Sequence, residues 1–144
     1  ETRIPIQELT QFVKLYEEKN AILIEVEKSD MDLLNRRISK KGYQKTAENY
    51  SQKLKEVEID LEPFKKLLVE STPDIRNIIQ RLDYLEAEKT SIKDSIVLPT
   101  DRYKKGKLPS KAAYDKLSND LMHRMESTQQ KIDRYVNELR AFLI

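Results

Sequence analysis

Apolar residues recur along two stretches of the chain at alternating steps of four and three, and the second stretch repeats the first with an offset of 71. This spacing places a narrow apolar stripe on one side of an α-helix, where it packs against a neighbouring helix. The first predicted packing stripe consists of Tyr43, Tyr50, Leu54, Val57, Leu61, Phe64 and Leu68. The second consists of Tyr114, Leu121, Met125, Ile132, Tyr135 and Leu139.

The segments that precede these two helices also repeat each other, with an offset of 69. The earlier copy consists of Ile6, Leu9, Val13, Tyr16, Asn20 and Leu23, and the later copy of Ile75, Ile78, Leu82, Leu85, Lys89 and Ile92. Each repeat of the chain is therefore predicted to contain two helices. Asn20 and Lys89 fall on equivalent positions, and a polar residue in a packing stripe can fix the register of two helices at some cost in stability.

Capping residues and turn residues separate the four predicted helices. Ser39, Thr72 and Ser110 are of the residue types that accept hydrogen bonds from the first free N–H groups of a helix. Pro73 fits a first helical position, where its missing N–H is not needed. We therefore expect turns near residues 38–41, 70–73 and 105–110, with the first two helices over residues 5–37 and 41–70.

Two prolines fall inside the predicted helices, where each removes a hydrogen-bond donor. The packing stripe continues beyond Pro63 through Phe64 and Leu68, which predicts a kink near residues 59–61 rather than an end. Pro99 is predicted to kink the third helix or to end it early.

These elements predict an all-α fold of two tandem antiparallel hairpins, over residues 1–70 and 71–144, within one structural unit. Two arrangements fit: an up-down-up-down four-helix bundle or an elongated coiled-coil rod. The short link at residues 70–73 favours the bundle, and so does a second apolar stripe on the first helix, formed by Phe12, Leu15, Ile22, Val26 and Leu33. The narrow stripes of the second and fourth helices fit the rod.

Composition agrees with long amphipathic helices, since 36% of the residues are charged, 38% are hydrophobic and the net charge is only +2. The chain lacks cysteine, which suits a reducing compartment, and no apolar run approaches the ~18 residues of a membrane span, so a cytoplasmic location is expected. The chain begins with Glu1 rather than Met and stops within the apolar run Phe142, Leu143 and Ile144. We therefore expect it to be part of a longer protein, and we expect that run to be exposed.

The residues that carry chemistry in enzymes are sparse. His123 is the only histidine, it lies off the packing stripe, and there is no cysteine to accompany it. The two glycines, Gly42 and Gly106, stand far apart, so no phosphate-binding loop is predicted. Paired carboxylates occur among lysines, as on solvated helix faces. The sequence predicts no catalytic residue, no metal site and no cofactor.

Basic residues concentrate at the two hairpin tips. The predicted contact residues for an anionic partner are Arg36, Arg37, Lys40 and Lys41 at the first tip, with Arg102, Lys104, Lys105 and Lys107 at the second. A bundle would bring both tips to one end. Such an end could bind an acidic protein or an anionic membrane, with nucleic acid the less favoured partner because no aromatic-lined basic groove is present.

The second tip has the order tyrosine, turn, apolar residue, proline and serine, then tyrosine and leucine. It runs through Tyr103, Lys104, Lys105, Gly106, Lys107, Leu108, Pro109, Ser110, Lys111, Ala112, Ala113 and Tyr114 to Leu117 and Leu121. This stretch resembles archaeal-type helical hairpins and is similar to hairpins in the core of ESCRT-I, the endosomal sorting complex. The resemblance covers about 40 residues, and the first tip lacks the tyrosine and glycine pattern. It implies a scaffold in membrane trafficking or remodelling.

The sequence therefore favours a non-enzymatic helical scaffold that binds a protein partner, or a second copy, through apolar helix faces. The alternative is an anionic-surface binding module that acts through the basic tips.

A charge-reversal experiment tests the alternative. Each basic side chain near an anionic membrane contributes about 1 kcal/mol, over a Debye length of about 8 Å. Replacing Arg36, Arg37, Lys40 and Lys41 by acidic residues should therefore remove most binding to acidic liposomes in a sedimentation assay. The helix content should stay unchanged. Equal binding after reversal at both tips, or binding unaffected by half-molar salt, would reject the idea.

Overall fold

The computed structural model describes residues 3–34, 38–104 and 110–144; within these ranges the side chains of Leu34, of residues 96–104 and of Tyr114 are not described. Four α-helices occupy the described ranges: α1 (Ile6–Leu34), α2 (Lys40–Val69), α3 (Pro73–Lys104) and α4 (Lys111–Ala141). No strand occurs in these ranges. The predicted all-α fold is confirmed.

The two helices that carry the packing stripes begin with the same cap. The Ser39 hydroxyl oxygen accepts a hydrogen bond from the Gly42 backbone N–H at 3.0 Å. Seventy-one residues later, the Ser110 hydroxyl oxygen accepts one from the Ala113 N–H at 3.1 Å. Both caps agree with the sequence expectation, and they fix the entries of α2 and α4 in the same way.

The link between α2 and α3 is held by hydrogen bonds on both sides. The Ser71 hydroxyl donates to the Leu68 carbonyl oxygen at 2.6 Å, which satisfies an acceptor at the end of α2. The Thr72 hydroxyl oxygen accepts from the Ile75 N–H at 3.2 Å, so Thr72 caps α3 as predicted. Arg76 spans the link, because its Nε donates to the Val69 carbonyl oxygen at 2.8 Å.

Both internal prolines are accommodated within helices. α2 continues through Pro63 to Val69, as the continuing packing stripe predicts. The expectation that α3 could end early at Pro99 is wrong, because α3 extends to Lys104. One missing donor removes a single hydrogen bond, and the rest of a long helix remains paired on either side. Residues 35–37, where the first helix was expected to end, lie outside the described ranges.

The chain forms two compact units. The first consists of the chain up to Arg76 together with Phe142–Ile144, and the second consists of Asn77–Ala141. In the first unit α1 packs along α2. The two helices are antiparallel, because Lys19 contacts Glu58 while Asp30, later in α1, contacts Tyr43, earlier in α2. In the second unit α3 packs with α4.

The predicted packing stripes face inward along much of their length. In the stripes, the buried members are Val57, Leu61 and Leu68 on α2, with Leu121, Ile132 and Leu139 on α4. Half-buried members are Tyr43, Tyr50, Leu54, Phe64, Met125 and Tyr135, and the Tyr114 side chain lies outside the described set.

The helices that pack against the stripes supply the remaining core. Its members on α1 and α3 are Leu9, Phe12, Val13, Tyr16, Ile75, Ile78, Ile79, Leu82, Leu85 and Ile92. Ile79 and, on α4, Val136 are buried although neither belongs to a predicted stripe. Phe142 and Leu143 are half-buried, so the expected exposure of the final apolar run holds only for Ile144.

The cap of α3 provides a direct test of how much the link contributes. Thr72→Ala should lower the free energy of unfolding by about 1 kcal/mol, because the Ile75 N–H loses its acceptor. Urea denaturation monitored by circular dichroism measures the change. Thr90→Ala is the matched control, since its hydroxyl donates to a carbonyl within α3 and alanine is a better helix former. A loss in the control as large as that in Thr72→Ala would contradict the capping role.

Candidate interaction surface

Three apolar side chains follow one another on the outward side of α2. Ile59, Pro63 and Leu67 are spaced by four residues, which places them on one face of the helix. That face points away from the buried residues Val57 and Leu61. Ile59 is 71% exposed and Leu67 is 43% exposed, and Pro63 is exposed as well. We call these three residues the outer stripe.

Charged residues border the outer stripe on both sides. Lys55 and Glu70, which have opposite charges, stand at its two ends, and the exposed residues along its sides are Glu56, Asp60, Glu62 and Lys66. Three carboxylates therefore face one ammonium group, on a chain whose overall net charge is +2. Lys65 is half-buried, and Glu58, although exposed, lies nearer to α1, with its Oε1 3.8 Å from Lys19 Nζ. The outer stripe is thus an apolar ridge with an acidic border.

The second repeat shows what the same face looks like without apolar residues. At an offset of 71, Ile59, Pro63 and Leu67 correspond to Gln130, Arg134 and Glu138 of α4, all of which are exposed. The border positions correspond to Ser127, Lys131, Asp133 and Asn137, which carry one charge of each sign. Packing of a helix pair therefore does not require apolar residues on this face, and the outer stripe is particular to α2.

A polar contact joins the helices at the same level in both units. In the second unit, Lys89 Nζ donates a hydrogen bond to Gln129 Oε1, although Lys89 is only 6% exposed. In the first unit, Lys19 pairs with Glu58, and Glu58 corresponds to Gln129. In the second unit the polar residue that the sequence places in the packing stripe, Lys89, is thus bridged across the helix pair, which restricts the register of α3 and α4. In the first unit the contact comes from Lys19, the neighbour of the predicted polar residue Asn20.

A small cleft of about 160 Å³ lies between α1 and α2 near the first hairpin tip. Its lining residues are Val26, Ser29, Asp30, Tyr43, Ala47, Tyr50, Ser51 and Leu54. The Tyr43 hydroxyl donates to Asp30 Oδ1 at 2.6 Å. This bond to a carboxylate, together with partial burial, raises the pKa of Tyr43 to about 12. In the second repeat Asp30 corresponds to Pro99, so its side chain cannot make the equivalent bond.

Of the predicted basic contact residues, the structure describes two side chains. Lys40 and Lys41 are exposed in the first turn of α2. Arg102 and Lys104 belong to the last turn of α3, but their side chains are outside the described set. The other four predicted residues, Arg36, Arg37, Lys105 and Lys107, lie outside the described ranges. Anion binding by the tips stays a prediction.

The groups with potential for other chemistry are placed as follows. His123 is exposed on α4, with Nδ1 3.9 Å from Glu126 Oε2. Among the residues that the structure describes, no three His, Cys, Asp or Glu side chains are grouped so that they could hold a metal ion. None of the helices, as far as they are described, has the length and apolarity that crossing a bilayer requires.

Comparison with known proteins adds no further assignment: no protein-family model matches the chain, and no curated protein matches it.

The Tyr43–Asp30 hydrogen bond makes a testable contribution to stability. Tyr43→Phe should lower the free energy of unfolding by about 1 kcal/mol at neutral pH, because Asp30 loses a donor in a half-buried site. The folded pKa of Tyr43, about 12, lies above the ordinary pKa of a tyrosine hydroxyl, about 10. The contribution is therefore complete below pH ~10 and is lost as the pH rises towards 12.

Urea denaturation of both proteins from pH 7 to pH 11 measures this difference. Tyr50→Phe is the control, because Tyr50 lines the same cleft and its expected effect is small at every pH. A constant difference between wild type and Tyr43→Phe across the whole range would contradict the assigned pKa.

Proposed function

We propose that the protein is a non-enzymatic, cytoplasmic helical scaffold that binds a protein partner through an apolar helix face. The observation that carries this proposal is the outer stripe of α2. Fully burying an exposed isoleucine or leucine side chain contributes about 1.5–3 kcal/mol, so an outward apolar ridge gains free energy when a partner covers it. The polar residues at the equivalent positions of α4 support a role in binding rather than in folding.

The rest of the first hairpin supports that face. The packing stripe, the Ser39 cap and the Lys19–Glu58 contact hold α2 against α1, and the spacing by four places Ile59, Pro63 and Leu67 on one face of the helix. A preformed helix loses little conformational entropy on binding, which favours recognition by a rigid face. A place in membrane trafficking or remodelling rests on the resemblance of the second tip to ESCRT-I hairpins.

A second candidate function is binding to an anionic surface through the hairpin tips. Its support is the charge at the starts of α2 and α4, where the first turn contains no acidic residue. Lys40, Lys41 and Lys111 stand at these starts. A positive charge beside the positive end of the helix dipole lowers helix stability by about 0.3–1 kcal/mol. Helix stability therefore does not explain these lysines, whereas an anionic ligand would offset their repulsion. α1 and α3 carry the stabilising acidic residues Glu8 and Asp74 instead.

Site-specific photo-crosslinking tests the scaffold proposal. A photoreactive amino acid is placed at Ile59 or Leu67 of the outer stripe, and at Gln130 or Glu138 as matched positions on α4. After irradiation in an extract of the cells that make the protein, we expect one discrete protein adduct from the α2 positions and none from the α4 positions. Equal labelling from both helices, or no adduct from α2, would reject the proposal.

A further inference from the structure

We infer that the outer stripe binds a basic amphipathic helix of a partner protein. This inference rests on the proposed function and specifies the chemistry of the partner. Ile59, Pro63 and Leu67 supply the apolar contact, and the carboxylates of Glu56, Asp60 and Glu62 border it. A helix with apolar residues spaced by three and four and with lysine or arginine beside them is complementary to both features.

The geometry of the outer stripe suits another helix. Residues spaced by four form one of the ridges that pack into the groove of a neighbouring helix, at a crossing angle near −50°. The grooves beside this ridge are bordered by residues 56, 60 and 64 on one side and by residues 58, 62 and 66 on the other. Basic side chains at the edges of a partner helix would therefore reach Asp60 and Glu62 while its apolar residues cover Ile59 and Leu67.

The acidic border also argues against a second copy on the outer stripe. A two-fold dimer pairs the same surface of both molecules, so a border of three carboxylates and one ammonium group would meet a second border with the same negative net charge. Like charges placed opposite one another disfavour the pairing. Because the ridge is short compared with a standard interface of about 800 Å² per partner, we expect a weak and reversible complex.

Binding of two designed peptides tests the inference. The basic peptide is an amphipathic helix of about five turns with leucines spaced by three and four and with lysines at the border positions. The acidic peptide has the same leucines and glutamates in place of the lysines. Fluorescence anisotropy at low salt should show that the wild-type chain binds the basic peptide at least about tenfold more tightly than the acidic one.

The second repeat supplies the substitutions. Ile59→Gln, Pro63→Arg and Leu67→Glu together give the outer stripe the residues of α4, leave the net charge unchanged and remove a proline from a helix interior. This variant should fold and should bind the basic peptide at least about tenfold more weakly. Glu56→Ser with Asp60→Lys gives two of the four border positions the residues of α4 and should abolish the preference for the basic peptide. Gln130→Ala with Glu138→Ala on α4 is the control and should bind like wild type.

Three results would overturn the inference. The first is equal or tighter binding of the acidic peptide by wild type, and the second is unchanged binding of the basic peptide by the triple variant. The third is self-association of wild type, seen by light scattering, that the triple variant loses, since a second copy would then occupy the stripe. A photo-crosslinked adduct at Ile59 without preference for the basic peptide would reject this inference and leave the scaffold function standing. Absence of both the adduct and the preference would reject both.

Discussion

The structure depends on one constraint: a long amphipathic helix that packs along an antiparallel neighbour in its hairpin buries the narrow stripe that faces this neighbour, and the opposite side stays outside the core of the hairpin. On α2 the inward residues Val57, Leu61 and Leu68 are buried, and this fixes the direction of every other residue on the helix. Ile59, Pro63 and Leu67 then face outward because of their positions relative to the packing stripe. No rotation of α2 can bury both sets against α1. The outer stripe therefore follows from the same periodicity that forms the core, and only another molecule or another segment can cover it.

The internal repeat separates the requirements of folding from those of recognition. The serine caps at Ser39 and Ser110 and a polar contact across the helix pair at Glu58 and Gln129 occur in both units, so both features belong to the hairpin itself rather than to one of its copies. The outer stripe occurs only in the first unit, although the hairpin to which it belongs is built in the same way as the second. The Tyr43–Asp30 bond is also particular to the first unit, where a half-buried carboxylate replaces the apolar contact expected at the end of a packing stripe. These differences are the basis for proposing that α2, rather than α4, has a role beyond packing.

Most of the fold can be predicted from the sequence because its signals are local. Ser39, Thr72 and Ser110 mark helix starts through hydrogen bonds to residues three positions later, and the periodicity of α2 and α4 defines the inward face. The extension of α3 past Pro99 was not predictable, since it depends on whether the neighbouring turns stay paired. The depth of burial also depends on the neighbouring helix, so Val57 is buried and Leu54 only half-buried on one stripe.

Periodicity alone overlooks the outer stripe, because a search for the packing face discards apolar residues that lie off it. A residue-by-residue comparison at the offset of 71 finds it.

In the proposed interaction, the apolar ridge and the acidic border together allow the outer stripe to discriminate between basic and acidic partners. An exposed apolar ridge by itself attracts any apolar surface, including other copies of the same chain. Carboxylates beside it repel a second acidic border, increase the rate of encounter with basic surfaces and leave the apolar contact to provide the remaining affinity. The discrimination needs no specific hydrogen bond, because the penalty for the wrong partner comes from charge and the gain for the right one from burial. Since neither the ridge nor its border contributes to the core of the hairpin, this face can change its partner without changing the fold that supports it.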